Sequence, residues 1–448
     1  MAQMHRRLGL LNATTINMSN MVGIGPFIAI ALILKTLAGP QAYLAWVVGT
    51  VIALADGMVV AELGAAKPAA GGTYVFLREG FGPRTWGRML AFLFVWQILF
   101  AGPLEIASGN IGLVQYLRVF LPNLSDLDGK LLAAGICALL VVALYRRIDD
   151  IAKLMFGLWS VMLLTTGWVI VTGILHFDPA LAFDLPENAF RFDLGFLASL
   201  GEGSAEVLYL FLGYYQVCYL GGEIRDPGRT IPRAVLYSIL AVAAIDIAIS
   251  FSFIGVVPWR EAMESQFLGA LFVERVYGAG AAKVLAGMIV VTAFGSIFAL
   301  LLGYSRVPYA AARDGVFFRQ LAVLHPTKEF PHRSLLLIGA GAICASFFSL
   351  DNVIKALMAA RILIQFLGHT FALFLIRSRR PDIARPFSMW GYPLPAIVSI
   401  VGYIYVFLSL GTTFVLFGTG TLLLGAIVYL AMAKHQREWP FASGSAQQ

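Results

Sequence analysis

Apolar runs long enough to cross a lipid bilayer recur along almost the whole 448-residue chain. A membrane-spanning helix needs roughly 20 predominantly apolar residues. Charged residues make up only 13% of the chain, against about 25% in soluble domains. The pattern predicts an all-α polytopic membrane protein with about twelve spans, at 12–36, 41–63, 84–117, 130–146, 151–175, 198–221, 232–257, 280–312, 334–350, 353–376, 393–411 and 414–434. The connections are too short for a soluble domain, so function must lie among the spans.

The distribution of basic residues sets the expected orientation. Lys and Arg are enriched in the cytoplasmic loops of membrane proteins. If the N-terminus is cytoplasmic, most of the 32 Lys and Arg residues fall in inner segments, and the C-terminus is also cytoplasmic. We therefore expect a multi-pass protein of the cell membrane with both termini in the cytoplasm. The net charge of +7 then reflects topology, and basic residues scattered over short loops do not indicate a nucleic-acid partner.

Two of the apolar runs contain helix-breaking residues near their middle. The first reads NMVGIGPFI, with Gly23, Gly25 and Pro26, and the sixth reads LYLFLGYYQVCYLGGE, with Gly213. Glycine and proline both weaken a helix interior. Because the breaks lie five spans apart, they predict an inverted-repeat transporter with its site near the membrane midplane. The predicted division is 1–175 for the first repeat, 176–377 for the second, and 378–448 for two further spans and a tail.

An unwound helix exposes backbone groups that must find partners in apolar surroundings. N–H groups at the start of the next half-helix suit a carboxylate, and carbonyl groups at the end of the previous one suit an ammonium group. An α-amino acid carries both charges and is the predicted substrate. The candidate binding residues are Gly23, Ile24 and Gly25 for the carboxylate, Met21, Val22, Phe211 and Leu212 for the ammonium group, Gly213 at the second break, and Tyr214 and Tyr215 for the side-chain pocket. Alternatively, the glycines permit close helix packing, Pro26 is an ordinary kink, and the tyrosines pack against neighbouring helices.

Several stretches resemble the amino acid–polyamine–organocation transporter superfamily. They are VGIGPF in the first run, AELGAAKPAAGGTYVFLREGFG at 61–82, FLGYYQVCYLGGEIRDPGRTIPRA at 211–234, GYSRVPYAAARDG at 303–315 and RSRRPDIARPFSMWGYPLP at 377–395. The resemblance implies a leucine-transporter-like fold, with five plus five helices in inverted repeats and two more helices. It also implies transport of amino acids or related amines.

The chain departs from this superfamily at one position of the sixth span. Many members carry an acidic residue two positions after the sixth-span glycine, where this chain has Tyr215. That difference argues against a dibasic amino acid or polyamine as substrate. Some members also place a lysine in the fifth span, where Lys153 is the candidate for coupling. Alternatively, Lys153 is an ordinary basic residue near the cytoplasmic end of its span.

Ionisable residues inside predicted spans are functional candidates, because burying charge in a membrane is costly. Glu105 in the third span is a candidate proton carrier, or else a structural hydrogen-bonding group. Further candidates in the spans are Asp56, Glu202, Glu206 and Asp246. Alternatively, Glu202 and Glu206 are water-exposed residues at the outer entrance of the sixth span. We expect Arg361 to extend toward the membrane surface and His369 to form a helix–helix hydrogen bond. We expect Glu62 to pair with one of three loop arginines, Arg225, Arg229 or Arg313.

The sequence therefore predicts a secondary active transporter that moves an α-amino acid by alternating access with proton coupling. The alternatives are an ion-independent amino acid exchanger, an amine or polyamine permease, and a channel or sensor. The histidines and cysteines show no metal-ligand spacing, and no catalytic arrangement of side chains is evident. We expect neither an enzyme nor a cofactor or metal. The expected partners are the amino acid, the lipid bilayer and protons.

Overall fold

The computed structural model describes residues 8–69, 71–145, 151–328 and 330–441, and gives only the backbone for 151–156 and 159. Within these ranges the regular structure is helical, apart from one isolated bridge between Leu8 and Ile224. The prediction of an all-α protein is therefore confirmed.

Helices occupy every one of the predicted apolar runs. In the first part of the chain they are α1 (Leu10–Met21), α2 (Gly25–Leu37), α3 (Tyr43–Ala66), α4 (Thr73–Phe81), α5 (Trp86–Leu117), α6 (Asp126–Ala143) and α7 (Ile151–Leu175). The second part begins with α8 (Pro179–Ala182), α9 (Leu194–Leu210), α10 (Gln216–Tyr219), α11 (Pro227–Ile254), α12 (Trp259–Ala262), α13 (Leu268–Tyr277), α14 (Ala279–Tyr304) and α15 (Arg306–Arg313). The chain ends with α16 (His332–Ala345), α17 (Leu350–Arg361), α18 (Leu367–Arg379), α19 (Leu394–Ser409) and α20 (Thr412–Gln436). Short 3₁₀ turns lie at Pro40–Ala42, Gly221–Glu223 and Arg319–Leu321.

Six helical segments of the described chain are long and apolar enough to cross a membrane. They are Pro40–Ala66, Trp86–Leu117, Pro227–Ile254, Ala279–Arg313, Leu350–Arg379 and Thr412–Gln436. A seventh candidate is the pair α1 and α2, which is bent by 52° at its break. This set is typical of a polytopic membrane protein.

The first break follows from the residues that occupy it. α1 ends at Met21, and α2 begins at Gly25 with Pro26 in its first turn. Proline is tolerated there because the first N–H groups of a helix have no intrahelical partner. The glycines are also required by space, since a Cβ atom on Gly23 would lie 2.7 Å from Ser296 Oγ. The glycines at this break therefore allow close packing against Ser296 and also leave backbone groups outside the helices.

The second break lies directly against the first. α9 ends at Leu210, and the chain resumes as a helix only at Gln216. Between them Gly213 adopts a φ of 127°, which side-chain-bearing residues rarely take. A Cβ atom on Gly213 would lie 2.7 Å from Asn20 Cβ. Glycine at this position thus allows both the turn and the contact between the two breaks.

The helices divide into central and peripheral members. The most apolar stretch of α17–α18 is 72% buried and that of α5 is 67% buried, whereas that of α20 is only 17% buried. α17 and α18 are joined by a π-helical turn, Ile362–Phe366, which directly follows Arg361. Turns of this kind are frequent at functional sites. The two breaks, the buried helix α5 and the turn after Arg361 therefore mark the region of the candidate site.

Candidate functional site

A chamber lies between the two helix breaks, with further walls from α5 and α14. Its lining consists of Ser19, Asn20, Met21, Gly23, Ile24, Gly25, Glu105, Gly109, Tyr209, Leu210, Leu212, Ser296, Ile297, Ala299 and Leu300. The predicted binding residues that line this chamber are Met21, Gly23, Ile24, Gly25 and Leu212. The predicted residues outside its lining are Val22, Phe211, Gly213, Tyr214 and Tyr215.

The first break presents backbone donors to this chamber. Val22 still donates its N–H to Met18 O (2.7 Å), and Phe27 donates to Ile24 O (3.0 Å). Among the described residues, the N–H groups of Gly23, Ile24 and Gly25 have no backbone acceptor. These groups stand at the N-terminal end of α2, where the helix dipole favours negative charge. The arrangement can hold a carboxylate.

Both breaks also present backbone acceptors. Within the described chain, the carbonyl groups of Asn20 and Met21, which end α1, accept no backbone hydrogen bond. The same is true of the carbonyl groups of Phe211 and Leu212 after α9. A helix C-terminus carries partial negative charge, so these oxygens favour a cation. An ammonium group placed beside a carboxylate at α2 would satisfy both sets of backbone groups.

A buried asparagine holds the two breaks together. Asn17 is fully buried on α1, four residues before the first break. Its Nδ2 donates to Tyr214 O (2.5 Å) and to Ser238 Oγ on α11 (3.3 Å), and its Oδ1 accepts from Val217 N (2.8 Å). Sequence reasoning missed Asn17, although an amide inside an apolar run just before a break was a usable signal. Its contacts fix α1 to α10.

Tyr214 points away from the chamber, which differs from its predicted role in the side-chain pocket. Its hydroxyl donates to Asp56 Oδ2 on α3 (2.5 Å). Asp56 Oδ1 accepts from Ser399 Oγ (2.9 Å) and lies 2.8 Å from His369 Nε2. All four side chains are buried, so this network joins α3, α18, α19 and the second break. The helix–helix hydrogen bond expected of His369 is present here.

Arg361 is buried rather than extended toward the surface, so the expectation for this residue was wrong. Only 2% of Arg361 is exposed, and its guanidinium donates to the Glu105 carboxylate and to the hydroxyl of Tyr215. Gln365 Oε1 accepts a further bond from it (3.3 Å), and Tyr304 Oη donates to Glu105 Oε2 (2.5 Å). An uncompensated charge at this depth would be costly, so Glu105 serves as its counter-ion. The geometry favours the structural alternative for Glu105.

A larger vestibule leads from the chamber to one side of the protein. It shares Asn20, Ala299 and Leu300 with the chamber lining and contains Tyr215 and Arg361. The vestibule reaches Tyr74, Arg306, Val307, Ala310, Ala311 and Asp314, beside α4 and α15. We call this the vestibule side. The distribution of basic residues predicts that this side faces the cytoplasm.

The opposite side is closed by side-chain contacts, and we call it the acidic side. Tyr209 lines the chamber there, and its hydroxyl lies 2.9 Å from Ser108 Oγ on α5. Farther out, Lys355 Nζ contacts Glu202 (2.6 Å) and Asp351 (2.8 Å). The described structure therefore opens the chamber toward the vestibule side and closes it toward the acidic side.

Two further predicted residues lie away from the chamber. Glu62 forms a two-pronged pair with Arg377 (2.7 and 2.6 Å) and accepts from Met389 N (2.8 Å). The expected pairing of Glu62 with Arg225, Arg229 or Arg313 was therefore wrong, because Arg377 at the end of α18 lies nearer. Lys153 belongs to α7, but its side chain lies outside the described residues.

Sequence reasoning also missed Ser296 and Tyr209. Ser296 on α14 packs against Gly23, and its hydroxyl donates to Thr292 O (3.1 Å). Tyr209 comes from the last turn of α9. Neither residue stands out in an apolar run, because serine and tyrosine are both common in membrane helices. Only the packing of α9 and α14 against the first break reveals them.

Comparisons with known proteins agree over nearly the whole chain. A family model described as amino acid permease matches residues 8–433. The serine/threonine exchanger SteT of Bacillus subtilis is 27% identical over 440 residues, which cover 96% of this chain and 95% of that protein. The branched-chain amino acid permease BcaP of the same species is 25% identical over 453 residues, with 96% and 94% covered. The cationic amino acid transporter 4 of Homo sapiens is 26% identical over 384 residues, with 80% and 58% covered. The family match includes both breaks and every residue of the chamber.

Proposed function

Because the chain belongs to the amino acid permease family and is an amino acid transporter, we propose that it exchanges small neutral α-amino acids across the cell membrane by alternating access. The observation that carries this proposal is the chamber between the breaks, where the first break has backbone N–H groups and both breaks have carbonyl groups that lack a backbone partner among the described residues. A zwitterion is the ligand that satisfies both. The protein acts as a carrier and not as an enzyme.

In the proposed binding mode the backbone makes the common contacts. The N–H groups of Gly23, Ile24 and Gly25 bind the carboxylate. The carbonyl groups near Met21 and Val22, and those of Phe211 and Leu212, bind the ammonium group. Gly213 permits the turn that presents these carbonyls, because its φ of 127° is unfavourable for other residues.

The side chains around the chamber favour a small, uncharged substrate. Ser296, Ile297 and Leu300 face the first break, and none of them carries a charge. Tyr215 provides no carboxylate, and its hydroxyl already accepts a hydrogen bond from the guanidinium of Arg361. A substrate with a basic side chain would thus find no free carboxylate among the described lining residues, because Glu105 is already paired with Arg361. Alanine, serine and threonine fit these constraints.

The proposal includes the architecture and orientation expected from the sequence. Twelve spans would form two inverted repeats, residues 1–175 and 176–377, followed by 378–448. Supporting this division, a broken helix stands near the start of each repeat, α1–α2 in one and α9–α10 in the other. With both termini in the cytoplasm, the vestibule side faces the cytoplasm and the acidic side faces outward.

The ion pair between Glu105 and Arg361 favours exchange over proton symport. It is the acidic side chain that lines the chamber, and it is held by Arg361 and Tyr304. A carboxylate that must neutralise a buried guanidinium is poorly suited to take up and release a proton in each cycle. The 27% identity to a serine/threonine exchanger over almost the full length agrees with this choice.

The test is counterflow in proteoliposomes. We expect uptake of radiolabelled L-serine to require unlabelled L-serine inside and to persist when a protonophore removes the pH gradient. Uptake into empty vesicles that depends on the pH gradient would refute exchange and favour symport.

A pair of matched glycine variants tests the binding site. In Gly25→Ala the new methyl group would lie 2.8 Å from Leu210 Cδ2, whereas in Gly420→Ala on α20 no atom lies within 4 Å. We expect the first variant to lose serine binding in a thermal-shift assay and the second to retain it. Equal stabilisation of both variants by serine would contradict the site.

A further inference from the structure

An acidic cluster on the acidic side of the protein joins the two broken helices to α17. Glu202 and Glu206 lie one turn apart on α9, and Asp351 and Lys355 lie one turn apart on α17. Oxygen atoms of the three carboxylates lie within 4.8 Å of one another. Thr36, near the end of α2, reaches the same cluster through its hydroxyl. The contacts that close this side therefore converge on these side chains.

The cluster contains more negative charge than its own cation can neutralise. Lys355 Nζ contacts Glu202 (2.6 Å) and Asp351 (2.8 Å), so one ammonium group serves two carboxylates. Glu206 lies behind this pair and is only 1% exposed. Its Oε1 accepts from Thr36 Oγ1 (3.1 Å), and its Oε2 has no hydrogen-bond partner among the described residues. One oxygen of a buried carboxyl is thus left without a partner, beside two other acids.

Within the described part of the chain, the neighbouring helices supply no other compensating charge. On α3, Asp56 and Glu62 are engaged with His369 and Arg377. α19 carries no ionisable side chain apart from Tyr403 and Tyr405. The basic residues of the other neighbours are committed elsewhere, Lys35 of α2 to Glu264 at the surface and Arg361 of α17 to Glu105. A buried, ionised Glu206 would therefore remain unpaired, which is strongly unfavourable.

We infer that Glu206 is a proton-binding site whose occupancy permits the acidic side to close. This inference rests on the proposed alternating-access function. When α2 and α9 separate from α17, water reaches Glu206 and the carboxyl can release its proton to the outer solution. To close again, the protein must take a proton from that solution onto Oε2. The proton binds and leaves on the same side of the membrane, so it regulates closure without crossing.

The position of Glu206 in α9 couples closure of the acidic side to the substrate chamber. It lies one turn before Leu210, which lines the chamber and contacts the first break. Closure at Glu206 therefore moves the same helix that bounds the substrate. An acidic outer solution is expected to speed exchange, because it supplies the proton that closure requires.

The experiment measures L-serine exchange in proteoliposomes at external pH 5 to 9 with the internal pH fixed. We expect the wild-type rate to fall at least tenfold across this range and Glu206→Gln to remain fast throughout, since its carboxamide is neutral at every pH. Glu202→Gln controls for the loss of a neighbouring acid. Asp246→Asn controls for the loss of another buried carboxyl, because Asp246 on α11 is also fully buried and has no partner among the described residues. Both controls should keep a falling profile.

Thr36→Val offers a second variant that does not alter the carboxyl. Loss of the Thr36 hydroxyl removes a hydrogen-bond donor to the ionised carboxylate of Glu206. The midpoint of the profile of exchange rate against external pH should therefore move to higher pH. Replacing sodium with choline, or adding calcium, should leave the midpoint unchanged. A shift with either ion would assign the site to a metal cation and overturn the proton assignment.

The outcomes separate the two proposals. Absence of serine exchange in the wild type would refute the proposed function. Exchange with an unchanged pH profile in Glu206→Gln would refute the proton site and leave the function intact. A Glu206→Gln variant that binds serine in a thermal-shift assay but fails to exchange it would also refute the proton site, because the neutral side chain should permit closure.

Discussion

The buried pair of Arg361 and Glu105 offers the sharpest test of how the site is held together. Both groups lie inside the protein, and the guanidinium has no carboxylate partner other than Glu105 among the described residues. Glu105→Gln keeps the shape but leaves a buried cation without a counter-ion. Breaking a buried pair in this way costs about 3–5 kcal/mol. Unfolding entropy scales with chain length, so for this chain the midpoint of thermal unfolding should fall by roughly 3–5 °C.

The double variant distinguishes an ion pair from mere packing. Glu105→Gln with Arg361→Met removes both charges, and apolar replacements of buried pairs are often neutral or stabilising. We therefore expect the double variant to be more stable than Glu105→Gln alone. The assay is thermal unfolding of the purified protein in one detergent at one pH. If Glu105→Gln unfolds at the wild-type temperature, or if the second substitution adds a further loss, the ion-pair reasoning is wrong.

Three other substitutions test separate features, each by thermal unfolding together with serine exchange. Asn17→Ala removes two hydrogen bonds between the breaks and a third to Ser238 on α11, so it should cost about 2–4 kcal/mol and abolish exchange. Wild-type exchange would contradict the role of Asn17 in holding the breaks together. Gly213→Ala forces a side chain into an unfavourable φ and should cost about 1–3 kcal/mol. Gly420→Ala lies inside α20 with open space around it and should not destabilise the protein, and equal stability of the two variants would contradict the requirement for glycine at position 213. Tyr214→Phe leaves the Asp56 carboxylate with one donor fewer and should cost about 1–3 kcal/mol without altering the KM for serine; a large rise in KM would show that Tyr214 contacts substrate after all.

The helix breaks were predictable because their causes are local. Gly23, Gly25 and Pro26 stand within four consecutive positions of an apolar run, and Gly213 stands near the middle of another. Backbone preferences of glycine and proline act on the residues themselves, so sequence reading can find them. The same holds for the apolar runs, all of which are occupied by helices.

The side-chain networks were not predictable, because their members are far apart in the chain. Glu105 and Arg361 are separated by 256 positions, and Asp56 and His369 by 313. Tyr214 and Tyr215 are adjacent, yet one bonds to Asp56 and the other to Arg361. In a non-helical turn the directions of neighbouring side chains depend on dihedral angles that composition does not fix. Pairing of the buried charges therefore required the packed structure.

The two breaks leave four half-helices that are bonded in pairs. Asn17 joins α1 to α10, and Thr36 joins α2 to α9 through Glu206. Each broken helix thus contributes one half to a body near the vestibule and one half to a body near the opposite face. The chamber lies between these bodies. In the proposed binding mode, an amino acid there would supply partners for the backbone groups that each break leaves without a helical hydrogen bond. With substrate bound, the two bodies should consequently move as one rigid unit. Without substrate, the two bodies should move more independently of each other.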